Sequence, residues 1–413
     1  MTQKFLDNNR VIAWLERFDE ADRANARLLL SLLKLVSANE FRQAMMELLE
    51  RQITESELPL ALFNETERAK RKGKPHRLFK ETKVGKTLRA EDKVGPALVP
   101  RQRYIGEQIG SEGVTANILT QFQKLHKRDV LLSPGAQIIR ERKVRRFVLA
   151  TDFIGSGDRI NDFLNAAWRV RSVRSWWSRR EAAGLSFDVI AFSGTTDGIE
   201  RVRNHPCQPT VHVAVVCPTI RSVFPPSKAA EIEAFCQKYV PKRLAEVALG
   251  YGQTGSLIAF SHSMPNNAPA IFWEKFKRSK PLFPSRVTVD VGSPFPLAIG
   301  SVAEKARLEA AVGLQSASEP AQPITIEAIV LAALQRGPRL PEAISGRLGL
   351  NLFDVNEALL KLRDLSWIDG HNQLTDRGRL VLHRLALPSA AKQLPKSRNG
   401  YYFPKSLRVP RDV

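Results

Sequence analysis

The sequence predicts an α/β protein with a mostly parallel sheet, a helical segment before the sheet and a small helical domain after it. Three observations lead to this class. Between residues 104 and 290, stretches of strand length alternate with stretches of helical periodicity. Apolar runs without alternation, such as residues 211–216, are typical of parallel strands covered by helices on both faces. After residue 324, the apolar residues recur at helical spacing.

Residues 9–55 are predicted to be helical, because apolar side chains such as Val11, Trp14 and Leu15 recur at helical spacing. The pattern breaks near residues 37–39, where Asn39 is a candidate N-cap for a second helix. We assign residues 1–60 to this N-terminal helical segment.

Residues 61–103 are rich in cations and contain few acids, little periodicity and several glycines and prolines. We expect this segment to be extended or mobile. A mobile basic segment in a globular protein indicates an anionic partner more strongly than a rigid basic surface does. The candidate nucleic-acid contacts in the segment are Lys70, Arg71, Lys72, Lys74 and Arg77.

The predicted sheet domain occupies residues 104–300. Its predicted strands are residues 147–151, 187–193, 211–217 and 256–261, and its predicted helices are residues 115–127, 158–181 and 227–249. Tryptophans and arginines interleave on the helix over 158–181, and we expect Trp168 to pack into the core. The arginines form either a phosphate-contacting face or a solvated face, and those selected as nucleic-acid contacts are Arg169, Arg174, Arg179 and Arg180.

A linker over residues 301–323 is predicted to lead to a C-terminal domain over residues 324–387. Helices over 324–336, 341–348 and 352–365, followed by a hairpin over 367–375, are typical of a winged helix, a helix-turn-helix variant. The third helix carries more acids than cations, which disfavours base reading in the major groove. Protein contact, dimerisation and phosphate contact are the alternatives, the last through His371, Arg377 and Arg379.

The tail over residues 388–413 mixes cations with Tyr401, Tyr402 and Phe403. Such a tail either lies along a single nucleic-acid strand, by stacking and charge, or packs on the domain as a strap with its rings buried. Both readings remain open.

The net charge of +21 and the isoelectric point near 10.2 favour a polyanionic partner, with nucleic acid as the default class. The alternative is a well-solvated basic surface. Cys207, Cys217 and Cys236 have no metal-ligand spacing and are expected to be reduced, as in a cytoplasmic protein. No zinc site, secretory signal or apolar run long enough to span a membrane is apparent, and no membrane partner is expected.

Residues 147–158 carry the most informative pattern: a buried strand, an acid, a small-residue loop and a helix start. The carboxylate of Asp152 can accept hydrogen bonds from vicinal hydroxyls. Gly155, Ser156 and Gly157 allow backbone N–H groups to close around phosphate oxygens at the positive end of the next helix. Ligands of open α/β sheets lie beyond the carboxyl ends of the strands, where this segment is expected.

This pattern resembles the ribose-phosphate motif of type I phosphoribosyltransferases. More closely, it is similar to a bacterial branch of phosphoribosyltransferase-like proteins, which residues 250–252 and 264–273 also resemble. The resemblance covers residues 104–290 and implies that the N-terminal helices pack on the sheet domain. Thr151 stands where the family has its first acid, so one of two ribose-gripping carboxylates is replaced. This departure favours sensing or altered chemistry over a standard salvage enzyme.

The resemblance implies a ligand with a phosphorylated ribose. Asp152 is the candidate catalytic residue, and the 155–157 loop would bind a 5′-phosphate. Asp158 would cap its helix or help to hold Mg²⁺, the one cofactor that the resemblance allows. The candidate substrate-binding residues are Thr151, Gly155, Ser156, Gly157, Asp158, Asn266, Asn267 and Trp273.

The same resemblance predicts three further roles. Asn266, Asn267 and Trp273 would form a roof over a base, and the alternative is a turn that needs left-handed geometry. Residues 110–113 are the best candidate for a loop that binds pyrophosphate. Residues 195–197 are expected at the rim of the same site.

Proteins of this branch with a trailing winged helix resemble accessory effectors beside bacterial reverse transcriptases (retrons) in phage defence. The resemblance therefore predicts an effector held on nucleic acid (RNA, DNA or their hybrid) or on a reverse-transcriptase ribonucleoprotein. Phosphoribosyl or ribosyl transfer is the activity to test, and turnover remains open. The alternative is a nucleotide-sensing, DNA-binding regulator with a non-catalytic fold.

Overall fold

The structure is a computed structural model that describes residues 8–54, 58–99, 111–276, 279–288, 325–335, 337–348, 350 and 352–386. The predicted linker over 301–323 and tail over 388–413 lie outside the described residues, as does Gly110 of the predicted pyrophosphate loop. No helix in the described part of the chain combines the length and apolar character needed to cross a bilayer.

A five-stranded parallel sheet forms the centre of the molecule. The strands of the chain are β1 (Lys34–Val36), β2 (Leu60–Asn64), β3 (Lys70–Arg71), β4 (Lys74–Pro75), β5 (Glu81–Val84), β6 (Thr87–Ala90), β7 (Val130–Leu132), β8 (Arg146–Ile154), β9 (Ser186–Gly194), β10 (Thr210–Val216) and β11 (Ile258–Phe260). The central sheet has the order β10-β9-β8-β2-β7, and every pairing in it is parallel. The predicted α/β class is confirmed.

Fifteen α-helices are assigned in the described residues. They are α1 (Asn9–Glu16), α2 (Arg23–Leu32), α3 (Ala38–Thr54), α4 (Ser111–Leu125), α5 (Ala136–Glu141), α6 (Asp158–Trp168), α7 (Arg171–Ser178), α8 (Arg180–Ala183), α9 (Thr196–Arg203), α10 (Ile220–Val223), α11 (Pro226–Lys238), α12 (Ile326–Gln335), α13 (Pro341–Leu348), α14 (Leu352–Asp364) and α15 (Asp376–Ala386). Short 3₁₀ turns connect several of them.

Helices cover both faces of the sheet. Val148 and Ala150 of β8 pack in one hydrophobic core with α3 and α4. Phe147 and Leu149, which point to the opposite face, pack in a second core with α5 and α6. This two-sided burial explains why the strands are apolar without alternation.

The N-terminal helices join the core of the sheet domain. The indole Nε1 of Trp14 donates to the carbonyl of Ile271 at 3.0 Å, and its ring stacks on Phe272 at 5.6 Å. The strand β1, which was not predicted, pairs with β11. The N-cap prediction for Asn39 was wrong: α3 begins at Ala38, and the hydroxyl of Ser37 accepts from the amide of Glu40 at 3.1 Å.

The predicted helix over 158–181 is three helices, α6, α7 and α8. The chain leaves α6 because Val170 adopts an extended conformation (φ −87°, ψ 123°) that buries its side chain completely. The left-handed Gly184 (φ +62°) then follows α8. Burial of one apolar side chain therefore overrides a helical periodicity that runs through the break.

The basic segment over 61–103 was predicted to be extended or mobile, and the part described, up to residue 99, is ordered. Its first residues belong to β2, the strand between β8 and β7. Two hairpins follow, β3–β4 and β5–β6. Phe79 is buried against the α6 side of the sheet, and the amide of Ala90 donates to the hydroxyl of Ser172 at 3.0 Å.

The C-terminal domain contains α12, α13 and α14, an antiparallel bridge between Ile368 and Leu374, and α15. The predicted hairpin is thus a single bridge, and α15 was not predicted. The domain lies against the edge of the central sheet, where the hydroxyl of Ser345 accepts from the amide of Val216 at 3.1 Å. This contact satisfies a backbone group at the carboxyl end of an edge strand.

Candidate functional site

The polar residues that follow β2 and β8 meet at the carboxyl edge of the sheet. Asn64, the last residue of β2, pairs with Ala150, and the amide of Glu65 donates to the carbonyl of Ala150 at 2.8 Å. Thr151 and Asp152 therefore extend beside Glu65. The sequence predicted that Asp152 directly follows the strand. In the structure β8 continues to Ile154, so Asp152 lies within it.

Asp152 is mostly enclosed, with 17% of its side chain exposed. Its Oδ2 lies 3.7 Å from Nε2 of His262, and its Oδ1 accepts from the hydroxyl of Thr151 at 3.3 Å. Burial alone would raise the pKa of Asp152. His262, Arg159 and Ser111 outweigh that effect and hold the pKa below its ordinary value. The carboxylate therefore stays charged at neutral pH, as an acceptor of ligand hydroxyls must.

Glu65 adds a second buried carboxyl, which the sequence analysis missed. It is 4% exposed, and Arg159 contacts it at 3.0 Å while also pairing with Glu112. Burial raises the pKa of Glu65 to about 7, with Arg159 opposing and Glu112 and Asp152 adding to the rise. The hydroxyl of Thr151 lies 3.4 Å from Glu65. A signal was present, because Asn64 and Glu65 follow an apolar stretch over residues 60–63, as polar residues do at the end of a buried strand.

The loop over 155–157 turns between β8 and α6. Gly157 has a left-handed conformation (φ +80°), which favours glycine. Within the described part of the chain, the amides of Gly155, Ser156 and Gly157 make no hydrogen bond. The carbonyl of Gly155 accepts from the hydroxyl of Thr195 at 2.6 Å. The loop therefore offers unpaired N–H groups at the N-terminus of an eleven-residue helix, a suitable setting for an anion.

Close packing of α9 fixes the shape of this loop. A methyl group added at Gly198 would collide with the carbonyl oxygen of Gly155.

In most helices, replacing a glycine by alanine stabilises the protein by about 1 kcal/mol. Here we expect Gly198→Ala to lower the free energy of unfolding by about 2 kcal/mol, because the loop must be displaced. Urea denaturation measures this change. Gly370→Ala is the control, since an added methyl there meets nothing within 4 Å, and equal stability of the two variants would contradict the packing argument.

Asp158 is the first residue of α6, and Gly157 occupies the N-cap position, so the predicted capping role was wrong. Its carboxylate accepts from Ser156 at 2.9 Å and from the Tyr251 hydroxyl at 3.1 Å, and it pairs with Arg201 at 2.6 Å. Within the described ranges, no group of three His, Cys, Asp or Glu side chains is placed to hold a metal ion. Asp158 therefore organises the rim beside the loop.

The predicted roof over a base is tied into the protein. The side-chain amide of Asn267 donates to the Tyr251 carbonyl at 2.9 Å and to the Thr254 hydroxyl at 3.1 Å. The indole of Trp273 donates to the carbonyl of Ala268 at 3.1 Å. Asn266 is exposed and accepts from the amide of Tyr251 at 2.8 Å through its carbonyl. The side chains of Asn267 and Trp273 thus hold the fold together, and neither asparagine has the left-handed conformation that the turn alternative required.

The structure also corrects the roles predicted for residues 110–113 and 195–197. Residues 111–113 lie inside α4, so the part of the predicted pyrophosphate loop that is described is helical. Thr195 is near the rim, as predicted, but it caps α9 by accepting from the amide of Gly198 at 3.0 Å.

A basic groove of about 970 Å³ lies along the β3–β4 hairpin. Lys70 pairs with Asp162 at 2.6 Å, and Arg77 pairs with Glu81 at 3.3 Å. The guanidinium of Arg169 donates to the carbonyl of Pro75. The cations that line the groove are Arg71, Lys72, Lys74, Arg77, Lys80 and Arg169. The structure therefore brings four of the five predicted hairpin cations and Arg169 to one surface.

The remaining predicted arginines lie elsewhere. Arg174 is exposed on α7. Arg179 lines a second groove of about 460 Å³, and Arg180 lies over the ring of Trp177 at 4.1 Å. Trp168, predicted to be in the core, is half-buried at its edge. These arginines do not join the hairpin groove.

The third helix of the C-terminal domain, α14, has little free positive charge. Lys361 pairs with Glu327 and Glu357, and Arg363 donates to Asn372 at 2.7 Å. This pairing agrees with the expectation that the helix is a poor reader of base edges.

Comparison with known proteins gives two family matches. A family model described as PRTase-CE matches residues 11–285, and one described as wHTH-PRTase associated matches residues 328–409. No curated protein and no solved structure gives a significant match. The first match starts within α1, so it includes the N-terminal helices and the basic hairpins along with the sheet.

Proposed function

This chain belongs to the PRTase-CE family, with a winged-helix domain of the associated type, and from that premise we propose that it is a phosphoribosyltransferase-like effector held on nucleic acid. Its pocket at Asp152 and the 155–157 loop binds a phosphorylated ribose. The holding surface is nucleic acid itself or a reverse-transcriptase ribonucleoprotein, and the setting is bacterial antiphage defence. The last two points derive from the resemblance to retron-associated effectors.

The observation that carries this proposal is the loop over 155–157. Three unpaired amides at the N-terminus of α6 lie three residues from a carboxylate that is held in its charged form. A phosphate suits the amides, and ribose hydroxyls suit the carboxylate. The two groups are joined in a ribose 5-phosphate unit. Gly155 and Gly157 are buried, and buried N–H groups in folded proteins nearly always have an acceptor.

Ribosyl transfer is the reaction that this pair of groups would support. A ribosyl cation develops in its transition state, and the charge of Asp152 would stabilise it. Mg²⁺ is mostly bound through substrate phosphates with one or two carboxylates, and Asp158 is the carboxylate that the rim offers. The Thr151 hydroxyl between Glu65 and Asp152 replaces the acid of the family motif, so turnover is a separate question from binding.

A nucleotide-sensing DNA-binding regulator is the second candidate. The contact between Ser345 and Val216 favours it, because it joins the winged-helix domain to the sheet that carries the pocket. In this case, a nucleotide would change the affinity for specific DNA. In the first case, the protein would co-purify with RNA or a reverse transcriptase, and nucleotide would leave DNA affinity unchanged.

Hydrogen exchange with and without ribose 5-phosphate tests the pocket directly. We expect the amides of Gly155, Ser156 and Gly157 to exchange at least tenfold more slowly with the ligand, since each gains a phosphate acceptor. Ribose without phosphate is the matched control and should leave these amides unprotected. Unchanged exchange of the loop at saturating ribose 5-phosphate contradicts the proposed function.

A further inference from the structure

The loop over 155–157 and the basic groove lie at opposite ends of α6. The loop directly precedes Asp158, the first residue of this helix. The hairpin side is attached further along it: Lys70 pairs with Asp162, the amide of Leu78 donates to the carbonyl of Ala166 at 2.9 Å, and Arg77 donates to the carbonyl of Arg169 at 3.2 Å. Eleven residues of helix separate the two ends by about 16 Å.

Exposed cations occupy the space between these ends. Arg201 pairs with Asp158, and 57% of its side chain is exposed. Lys70 is 47% exposed, and its hydrogen bond with Asp162 raises its pKa, with further contributions from Asp158 and Tyr251. Lys70 therefore lies within electrostatic reach of the rim that surrounds Ser156. Arg201 and Lys70 thus stand between the loop and Arg71 of the groove, each paired with an acid of α6 and about half exposed, so that a phosphate can share their N–H donors.

The chemistry of the pocket restricts which part of a nucleic acid fits it. Asp152 is suited to a free vicinal diol, and the loop is suited to the phosphate on C5′ of the same sugar. Internal riboses have an esterified 3′-oxygen, and so does the 5′-terminal nucleotide. Deoxyribose lacks the 2′-hydroxyl. In a nucleic-acid strand, a free diol and a 5′-phosphate occur together only on the 3′-terminal nucleotide of RNA.

We propose that this pocket binds the 3′-terminal nucleotide of a single-stranded RNA, whose preceding nucleotides run along α6 into the hairpin groove. The inference rests on the proposed function and specifies its ligand. A single strand stacked at the 3.4 Å rise that it has in a duplex would span about 16 Å with roughly five nucleotides, and a more extended strand would need fewer. A single strand is required because Asp152 is only 17% exposed, and a paired terminal nucleotide cannot enter so enclosed a position.

The experiment uses ten-nucleotide RNAs of one sequence that differ only at the 3′ end. One ends in a free diol, a second in a 2′,3′-dideoxy nucleotide and a third in a 3′-phosphate. Fluorescence anisotropy at constant salt measures the affinities for the full chain. We expect the diol to bind at least tenfold more tightly than either altered end, because charge-assisted hydrogen bonds to Asp152 are lost in both.

Two variants separate the contributions. Asp152→Asn should reduce the preference for the diol to less than threefold. The triple variant Arg71→Gln, Lys72→Gln, Lys74→Gln should lower the affinity for all three RNAs by the same factor and keep the preference for the diol end. The comparison of the diol RNA with the 3′-phosphorylated RNA uses the wild-type protein alone. It therefore tests the inference even if Asp152→Asn does not fold.

Equal affinity of the wild-type protein for the three RNAs overturns the inference, as does equal affinity for a DNA of the same sequence. If ribose 5-phosphate still protects the loop in hydrogen exchange, the proposed function survives that result and only the RNA end is wrong. If ribose 5-phosphate protects nothing, the proposed function fails with it.

Discussion

Replacing Arg71, Lys72 and Lys74 by glutamine is expected to weaken binding of single-stranded nucleic acid about 100-fold at 0.1 M salt. The three side chains are exposed, line the groove and have no partner in the described part of the chain. Each phosphate contact with a single strand contributes about 0.7 to the slope of log affinity against log salt, so three contacts contribute about 2. The curves of the variant and the wild-type protein should converge near 1 M salt.

The matched control changes the same charge elsewhere. Lys124, Lys127 and Arg128 are exposed near the end of α4, before β7 begins. Replacing them by glutamine should change the affinity less than threefold, because they lie outside the groove. Equal weakening by both triple variants would mean that the total charge of +21, and not the hairpin groove, holds the nucleic acid. Titrations at four salt concentrations distinguish these outcomes.

The part of the site that the sequence predicted is contiguous in the chain. Residues 147–157 form a strand and a loop, so their relation depends on local structure that periodicity and glycines reveal. Asp152 and the loop therefore lie on one local segment, although β8 continues beyond residue 151 and includes Asp152. The winged-helix domain was also predictable, since the segments that form α12, α13 and α14 have helical length and apolar residues, with Gly337-Pro338 marking the first break.

The rest of the site comes from separate elements, and the order of the strands brings them together. Glu65 follows β2, Arg159 lies in α6 and His262 follows β11. The position of β2 between β8 and β7 is a property of the tertiary fold, and no local pattern in residues 60–64 specifies it. The basic residues that follow this strand predict an extended chain, and they conceal the strand from a reading of charge alone.

The pH dependence of stability should reveal the burial of Glu65. Its pKa is 4.5 in the reference state and rises to about 7 in the fold. Between these values the folded protein keeps a proton that the unfolded chain has lost. The free energy of unfolding therefore falls as the pH rises from 4.5 to 7, and the loss is complete above 7. The shift corresponds to about 3 kcal/mol.

Glu65→Gln removes this titration while keeping the size of the side chain. We expect the variant to lie within about 1 kcal/mol of the wild-type protein at pH 5 and to exceed its stability by about 3 kcal/mol at pH 8, because no buried charge forms. Arg159 retains Glu112 as a partner in the variant. Asp152, whose charge adds to the rise of the Glu65 pKa, is present in both proteins.

Urea denaturation at pH 5, 6, 7 and 8 measures the two curves, and Glu16→Gln, an exposed position on α1, is the control. That control should follow the wild-type curve throughout. Parallel curves for Glu65→Gln and the wild-type protein would mean that Glu65 ionises normally inside the fold. The Arg159 ion pair would then compensate fully for burial, and Glu65 would add a second negative charge beside Asp152 at neutral pH.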